Sequence, residues 1–390
     1  MKIGILTGGG DAPGLNSVIY GVLLQAFEAG HEVIGIEKGW KGFMEGSTRS
    51  LNLADHENLH TVGGTILFST RMNPYKEVKK IKDPDEREKA IENTAKDMAT
   101  RFKRLEIDAL IAIGGDDTLG VAAAMHKHAN AKVVGVPKTI DNDLSSTDYT
   151  FGFWTATQSA TDTMDKLTTT AASHQRIFVV QVMGRDAGWL TATSGLATGA
   201  AIILLPEEPF DMQKDVIDVL EERCLKGFKH HIIAISEGAY PNNESLKRDF
   251  KTITQETIDT LPKDSFGNPL LAKLNLAKVL VEELGLQDGL KTFFKKQNVE
   301  FEVRDVVLGH TMRAGSPSSY DRILGLRLGM HAANLVNKGD FGKMVCLQGE
   351  YIKSVALTEG AKKKVIPMDS DMFKLIELMT KIKLQAKDSS

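Results

Sequence analysis

In the stretch IAIGGDDTLG, residues 111–120, an apolar run ends in Gly114 and Gly115, and two carboxylates follow side by side, Asp116 and Asp117. Glycines at the end of such a run let peptide N–H groups close on an anion. One carboxylate there can hold a divalent cation, which favours hard oxygen ligands. A second would repel an anionic ligand unless a cation opposes it. A similar turn, TGGGDAPG, carries Gly9 and Gly10, and PKTIDNDL (137–144) packs Lys138, Asp141 and Asp143 into six residues. If that last stretch is extended, Asp141 and Asp143 point to one side.

Later in the chain, VMGRDAGW sets Met183, Gly184 and Arg185 after an apolar run, SEGA sets Glu237 after the next, and LGHTMRAGSP sets His310 and Arg313 after a third. Arg176 and Arg304 open two of those runs. Arginines at element ends among glycine turns suit phosphate recognition by the planar guanidinium fork. An acid for a cation, glycine loops, a further carboxylate and arginines together fit phosphoryl transfer to a hydroxyl. That chemistry needs positioning and charge neutralisation more than covalent help.

The elements that must position these residues are short apolar runs alternating with helical patterns. Residues 2–7, 32–37, 108–115 and 132–137 read as one set of buried strands, and 176–183, 201–206, 231–238 and 303–309 as a second. Between them, Ile91, Ala95, Met98, Phe102 and Leu105 repeat at helical spacing over 84–105. Fully apolar strands belong in parallel sheets covered on both faces. The fold class is therefore α/β, with two doubly wound, Rossmann-like parallel-sheet lobes. Two charged stretches, 74–104 and 240–300, read as solvated additions at the periphery.

The bulk numbers narrow the function classes. A chain of 390 residues, 42% hydrophobic and 25% charged, suits two ordinary globular cores. A net charge of −3 supports neither a nucleic-acid partner nor an anionic membrane surface. Cys224 and Cys346 match no metal or disulfide spacing and fit a cytoplasmic location as reduced thiols. No apolar run reaches the ~18 residues of a membrane span. Strand-like KIGILT follows Met1 directly, so no signal peptide is expected.

Together, GILTGGGDAPGLN, GGDDT, PKTIDND, VMGRDAGW, SEG and GHTMRAGSPSSYDR resemble the phosphofructokinases in order and approximate spacing, from residue 3 to about 355. The resemblance implies a phosphoryl-donor lobe, 1–151 with 312–362, and a sugar-phosphate lobe, 152–311 with 363–390, carrying an insertion at about 240–300. It implies that Asp141 accepts the proton of the 1-hydroxyl of fructose 6-phosphate, that Thr139, Ile140 and Asp143 belong to the same substrate loop, and that Asp116 is linked to Mg²⁺. Gly9 and Gly10 would wrap the donor, and Arg71 would neutralise the transferring phosphoryl group. Met183, Gly184, Arg185, Glu237, His310 and Arg313 match sugar-binding positions. Arg176 and Arg304 resemble the pair that completes a neighbour's site, which implies a homodimer or homotetramer.

Within that family, ATP-using members carry small residues at the positions of Asp117 and Lys138, whereas pyrophosphate-using members carry an acid and a lysine. The resemblance therefore implies reversible phosphoryl transfer from pyrophosphate to fructose 6-phosphate. The alternatives are an ATP-dependent enzyme or, from another class, a non-catalytic sugar-phosphate-binding regulatory subunit. Allosteric bacterial relatives place arginines where this chain has Tyr20 and Leu24, so no activation by nucleoside diphosphate is expected.

Overall fold

The computed structural model describes residues 1–262, 274–360 and 362–380. Residues 263–273 of the expected insertion and 381–390 of the expected second lobe lie outside the described residues. The chain divides into two compact units, Met1–Ala156 with Arg313–Lys364, and Thr157–Met312 with the stretch from Val365 onward.

In the first unit, β1 (Lys2–Thr7), β2 (Glu32–Ile36), β3 (Thr48–Leu51), β4 (Ala109–Gly114), β5 (Val133–Pro137), β10 (Lys343–Gln348) and β11 (Tyr351–Ala356) form one sheet in the order β11-β10-β5-β4-β1-β2-β3. The five central strands are parallel, and both edges, β3 and β11, are antiparallel additions. Every residue of β4 and β5 is buried, as an interior parallel strand requires. Leaving β1, the chain builds β2 and β3 on one side and then returns to build β4 and β5 on the other. The switch point therefore falls between β1 and β4, whose carboxyl ends carry the two glycine turns.

Helix Leu15–Glu28 lies against helix Ser319–Lys338, which ties the returning segment into this unit. The two backbones approach so closely that a Cβ on Gly21 would sit 2.3 Å from Leu326 O, and one on Gly329 2.2 Å from Val18 O. Elsewhere in the unit, helix Pro84–Arg104 packs on helix Asp116–Ala129, and a core of Leu6, Trp40, Phe43, Met98, Leu110 and Leu119 forms around them.

In the second unit, β6 (Ile177–Val182), β7 (Ile202–Leu204), β8 (His231–Ser236) and β9 (Val303–Val307) form an all-parallel sheet in the order β7-β8-β6-β9. The edge strand β9 departs from the fully buried reading, with Arg304, Asp305 and Val307 exposed. The described part of 240–300, a stretch read from its charges as peripheral, is built into this unit's core. Its helices Leu276–Gly285 and Asp288–Lys296 bury Leu280, Leu284, Leu290 and Phe294 beside Ile177, Val179 and Ile233. The fully buried Glu283 accepts the backbone N–H groups of Lys251 (2.8 Å) and Thr252 (2.5 Å), fixing the preceding loop. Cys224 and Cys346 are buried free thiols. No helix among the described residues is long and apolar enough to cross a membrane.

Gly21→Ala should lower stability by about 1–3 kcal/mol, because a methyl group cannot enter a backbone–backbone contact without moving a helix. The midpoint of urea unfolding, compared with that of the natural chain, measures this.

Candidate active site

The two turns at the switch point of the first unit are laced together. Gly8 N–H donates to Ile113 O (2.9 Å), and Thr118 fills the space between the turns. A Cβ on Gly8 would lie 2.5 Å from Thr118 Oγ1, and one on Gly114 2.3 Å from Thr118 Cβ, so both positions require glycine. Gly9 adopts φ 83°, which turns its amide into the loop at little steric cost. Helix Leu15–Glu28 then begins with no side-chain cap and no acid in its first turn. Its N-terminal partial positive charge is left for an anion. Helix Asp116–Ala129 differs, because its first turn carries Asp116 and Asp117, both exposed. Its dipole stabilises those two charges, each by about 0.3–1 kcal/mol.

Lys138 follows β5 and is only 5% exposed. Its backbone N–H donates to Gly114 O (2.9 Å), and its Nζ lies 3.5 Å from where a Cβ on Gly9 would sit. Burial pushes the ammonium down from the usual lysine range to about 8; Arg313 adds to the fall, while Asp141, Asp143 and Asp11 oppose it. Asp117 accepts a hydrogen bond from the Asn73 side-chain amide (3.0 Å). Arg313 lies against the glycine loop, its Nη1 donating to Asp11 O (3.0 Å). Arg71 is exposed, but the residues before it are held to the same loop: Gly9 N–H donates to Thr70 O (3.0 Å) and Ser69 Oγ to Gly9 O (2.5 Å).

The Asp141–Asp143 stretch is not extended, because Asn142 takes φ 52° and bends the chain between them. Asp141 is positioned by its own N–H, which donates to Thr139 Oγ1 (3.0 Å), while Ile140 is buried beneath. Burial raises the Asp143 carboxyl above its ordinary range; the Thr139 hydroxyl lowers it, and the nearby charge of Asp116 adds to the rise. Lys364, overlooked in the sequence, secures this loop: its N–H donates to Asp143 O (2.8 Å) and its Nζ to Thr147 O and Asp148 O (3.0 Å each). Burial draws that ammonium down to about 8. Among the described residues, no three His, Cys, Asp or Glu side chains converge as a metal cage.

In the second unit, Met183, Gly184, Glu237 and His310 all follow the carboxyl ends of β6, β8 and β9. Glu237 N–H donates to Val182 O (3.0 Å) and Gly238 N–H to Gly184 O (3.2 Å), which joins two of these turns. Arg185 is exposed and makes a two-point pair with Asp186 (3.0 and 2.8 Å). Arg176 and Arg304 lie at the opposite, amino ends of β6 and β9. The seven residue steps from Arg176 to Met183 span roughly 23 Å of strand, far beyond one side chain's reach. Glu302 accepts from both arginines, from Arg176 Nε and from Arg304 Nη2 (2.5 Å), and these bonds, that of Arg176 first, hold its carboxyl below the ordinary range. Its spacing of two from Arg304 on an extended segment was a readable signal.

A phosphofructokinase family model matches residues 2–336. The chain is 44% identical over 369 residues to the pyrophosphate–fructose 6-phosphate 1-phosphotransferase of Amycolatopsis methanolica, spanning 94% of this chain and 96% of that one. It is 43% identical over 371 residues to the ATP-dependent 6-phosphofructokinase 2 of Streptomyces coelicolor, spanning 95% and 97%. The crystal structure of a pyrophosphate-dependent phosphofructokinase from Nitrosospira multiformis matches with a TM-score of 0.72 at 19% identity, over 96% of this chain and 90% of that one. At that identity the likeness speaks for the fold.

A phosphate anion bound beside Lys138 favours its charged form, so affinity should weaken as pH rises through about 8. Calorimetric titration with inorganic phosphate across pH 7–9 measures this, and Lys138→Met should remove the inflection.

Proposed function

The chain belongs to the phosphofructokinase family, and we propose that it moves a phosphoryl group from inorganic pyrophosphate to the 1-hydroxyl of fructose 6-phosphate, giving fructose 1,6-bisphosphate and phosphate. The observation that carries the choice of donor is the buried Lys138 against Gly9, with the carboxylate of Asp117 in the first turn of helix Asp116–Ala129 of the same unit. The glycine loop and Lys138 receive two phosphates. Asp117 stands where a nucleotide would continue its phosphate chain, and like charges ~4 Å apart cost about 4 kcal/mol at an effective dielectric near 20.

In the reaction, the sugar 1-oxygen bonds to the transferring phosphorus as the bond to the leaving phosphate breaks. Asp141 accepts the hydroxyl proton, held in place by Thr139. Lys138 and Arg71 neutralise the charge on the transferring and leaving groups, and Arg313, expected from the sequence at the sugar, adds to that from its place against the glycine loop. The same reading makes the transfer reversible. Asp116, with Asp143 near enough to feel its charge, fits Mg²⁺, which takes one or two carboxylates together with phosphate oxygens and water. When bound, Mg²⁺ supplies further neutralisation of the phosphate oxygens. Residues 1–156 and 313–364 thus form the donor lobe.

Met183, Gly184, Arg185, Glu237 and His310 hold the sugar from the second unit. Arg176 and Arg304 serve the sugar phosphate of a neighbouring copy, in a homodimer or homotetramer. Their position at the far strand ends supports that reading, and Glu302 keeps their two forks together until a phosphate arrives. The buried thiols fit a reducing cytoplasm.

Product formation from fructose 6-phosphate and Mg²⁺, with pyrophosphate or ATP as the only donor, tests the reading; turnover on ATP with pyrophosphate idle would overturn it. Asp141→Asn should lower kcat by about 10²–10⁴-fold with little change in substrate affinity. Replacing Asp117 and Lys138 together by glycine should lower kcat/KM for pyrophosphate by about 10²-fold or more.

Because the arginines and the base would act in different subunits' sites, mixing Arg304→Ala with Asp141→Asn chains should restore activity that neither has alone. Mixtures that stay inactive after subunit exchange would exclude the shared site.

A further inference from the structure

Helix Asp116–Ala129, Ile91 and the turn at 73–75 line an open recess of about 160 Å³. Tyr75, Ile91, Val121 and Ala124 make its apolar wall, and Asn73, Asp116 and Asp117 make its polar end. A donor bearing an apolar ring beyond its phosphates would find room here. The charge of Asp117 therefore stands where it must be kept if such a donor is to be refused.

Asp117 is exposed on the first turn of its helix. A charge that swings into solvent repels weakly. Asn73 supplies one restraint. Its Nδ2 donates to Asp117 Oδ1 at 3.0 Å, while its own Oδ1 accepts the Tyr75 N–H at 2.8 Å. The second bond fixes which way the amide faces, oxygen to the backbone and nitrogen to the carboxylate. Pro74 restricts the backbone between the two residues, and Tyr75, 5% exposed, anchors the turn in the core. A rigid chain of contacts thus runs from the core through one amide to the discriminating carboxylate.

We infer that Asn73 is a specificity-determining positioning residue, which holds Asp117 in place so that a pyrophosphate donor is accepted and a nucleoside triphosphate refused. The inference rests on the pyrophosphate reading above. It also gives asparagine a specific role: aspartate at this position would repel Asp117, and serine is too short to reach it.

The test is steady-state kinetics with pyrophosphate and with ATP for the natural chain, Asn73→Ser, Asp117→Gly and the Asn73→Ser/Asp117→Gly double variant. The readout is the ratio of kcat/KM for the two donors. Serine still accepts the Tyr75 N–H, so the turn is kept, and the ratio should move toward ATP by about tenfold, the scale of one hydrogen bond to a charged group. KM for fructose 6-phosphate should not change. In the Asp117→Gly background, Asn73→Ser should change the ratio less than twofold, because Asn73 acts through that carboxylate. A natural chain that prefers ATP would overturn the donor reading and this inference with it. A natural chain that prefers pyrophosphate, with an unchanged ratio in Asn73→Ser or an equal shift in the two backgrounds, would overturn the inference alone.

Discussion

An ammonium group held almost out of water beside a glycine loop is the constraint on which the chemistry of the first unit depends. Burying a lone cation costs several kcal/mol, and the cost becomes tolerable only when opposite charges surround it. Asp141, Asp143 and Asp11 supply those charges to Lys138, and Arg313 adds a second cation that pulls the other way. The dependence is mutual. Without Lys138, the same carboxylates would face an incoming polyanion with too little to hold it. Asp116 and Asp117 fit beside them because a helix N-terminus, itself partly positive, carries both. The site is a balance of charges poised for a small anion, and each acid is tolerable only because of a neighbour.

How much of this can be read from the chain follows from the range of the interactions involved. The interior strands are legible because burial on both faces forces continuous apolar runs, as in ALIAIG and IFVVQV. The glycine turns are legible because close backbone approach admits no side chain, as the Thr118 contacts demonstrate at Gly8 and Gly114. By contrast, β3 (TRSL) and β11 (YIKSVA) are half-exposed edges whose composition does not differ from a loop. Their strand character comes from the neighbour they pair with. The bend at Asn142 was hidden for a similar reason: alternation of Asp, Asn and Asp suits an extended segment and a turn equally well.

Charge misled the reading of 240–300 in an instructive way. Helix Asp288–Lys296 (DGLKTFFKK) is mostly polar, yet its two buried residues, Leu290 and Phe294, lie four apart on one face and reach the core. Composition averages over the helix; packing uses one stripe of it. Asn73 escaped notice for a different reason. It meets Asp117 across 44 residues of sequence, and nothing local in RMNPY distinguishes a turn-forming asparagine from one that also holds a carboxylate.

The same reasoning explains why donor choice does not track overall similarity. The chain is 44% identical to a protein named for pyrophosphate and 43% identical to one named for ATP, both over more than nine-tenths of its length. A property that differed through the whole fold would separate those two values. A property fixed by a few charges would not. A hydrophobic pocket distinguishes ligands by only about 1–3 kcal/mol for each methylene. One misplaced like charge supplies about 4 kcal/mol, roughly a thousandfold. Because Asp117 sits at a helix start and Lys138 at a strand end, both can change without disturbing the sheet that carries them. On the reading proposed above, the fold fixes that phosphate binds at the switch point, and two or three side chains decide which phosphate compound it is.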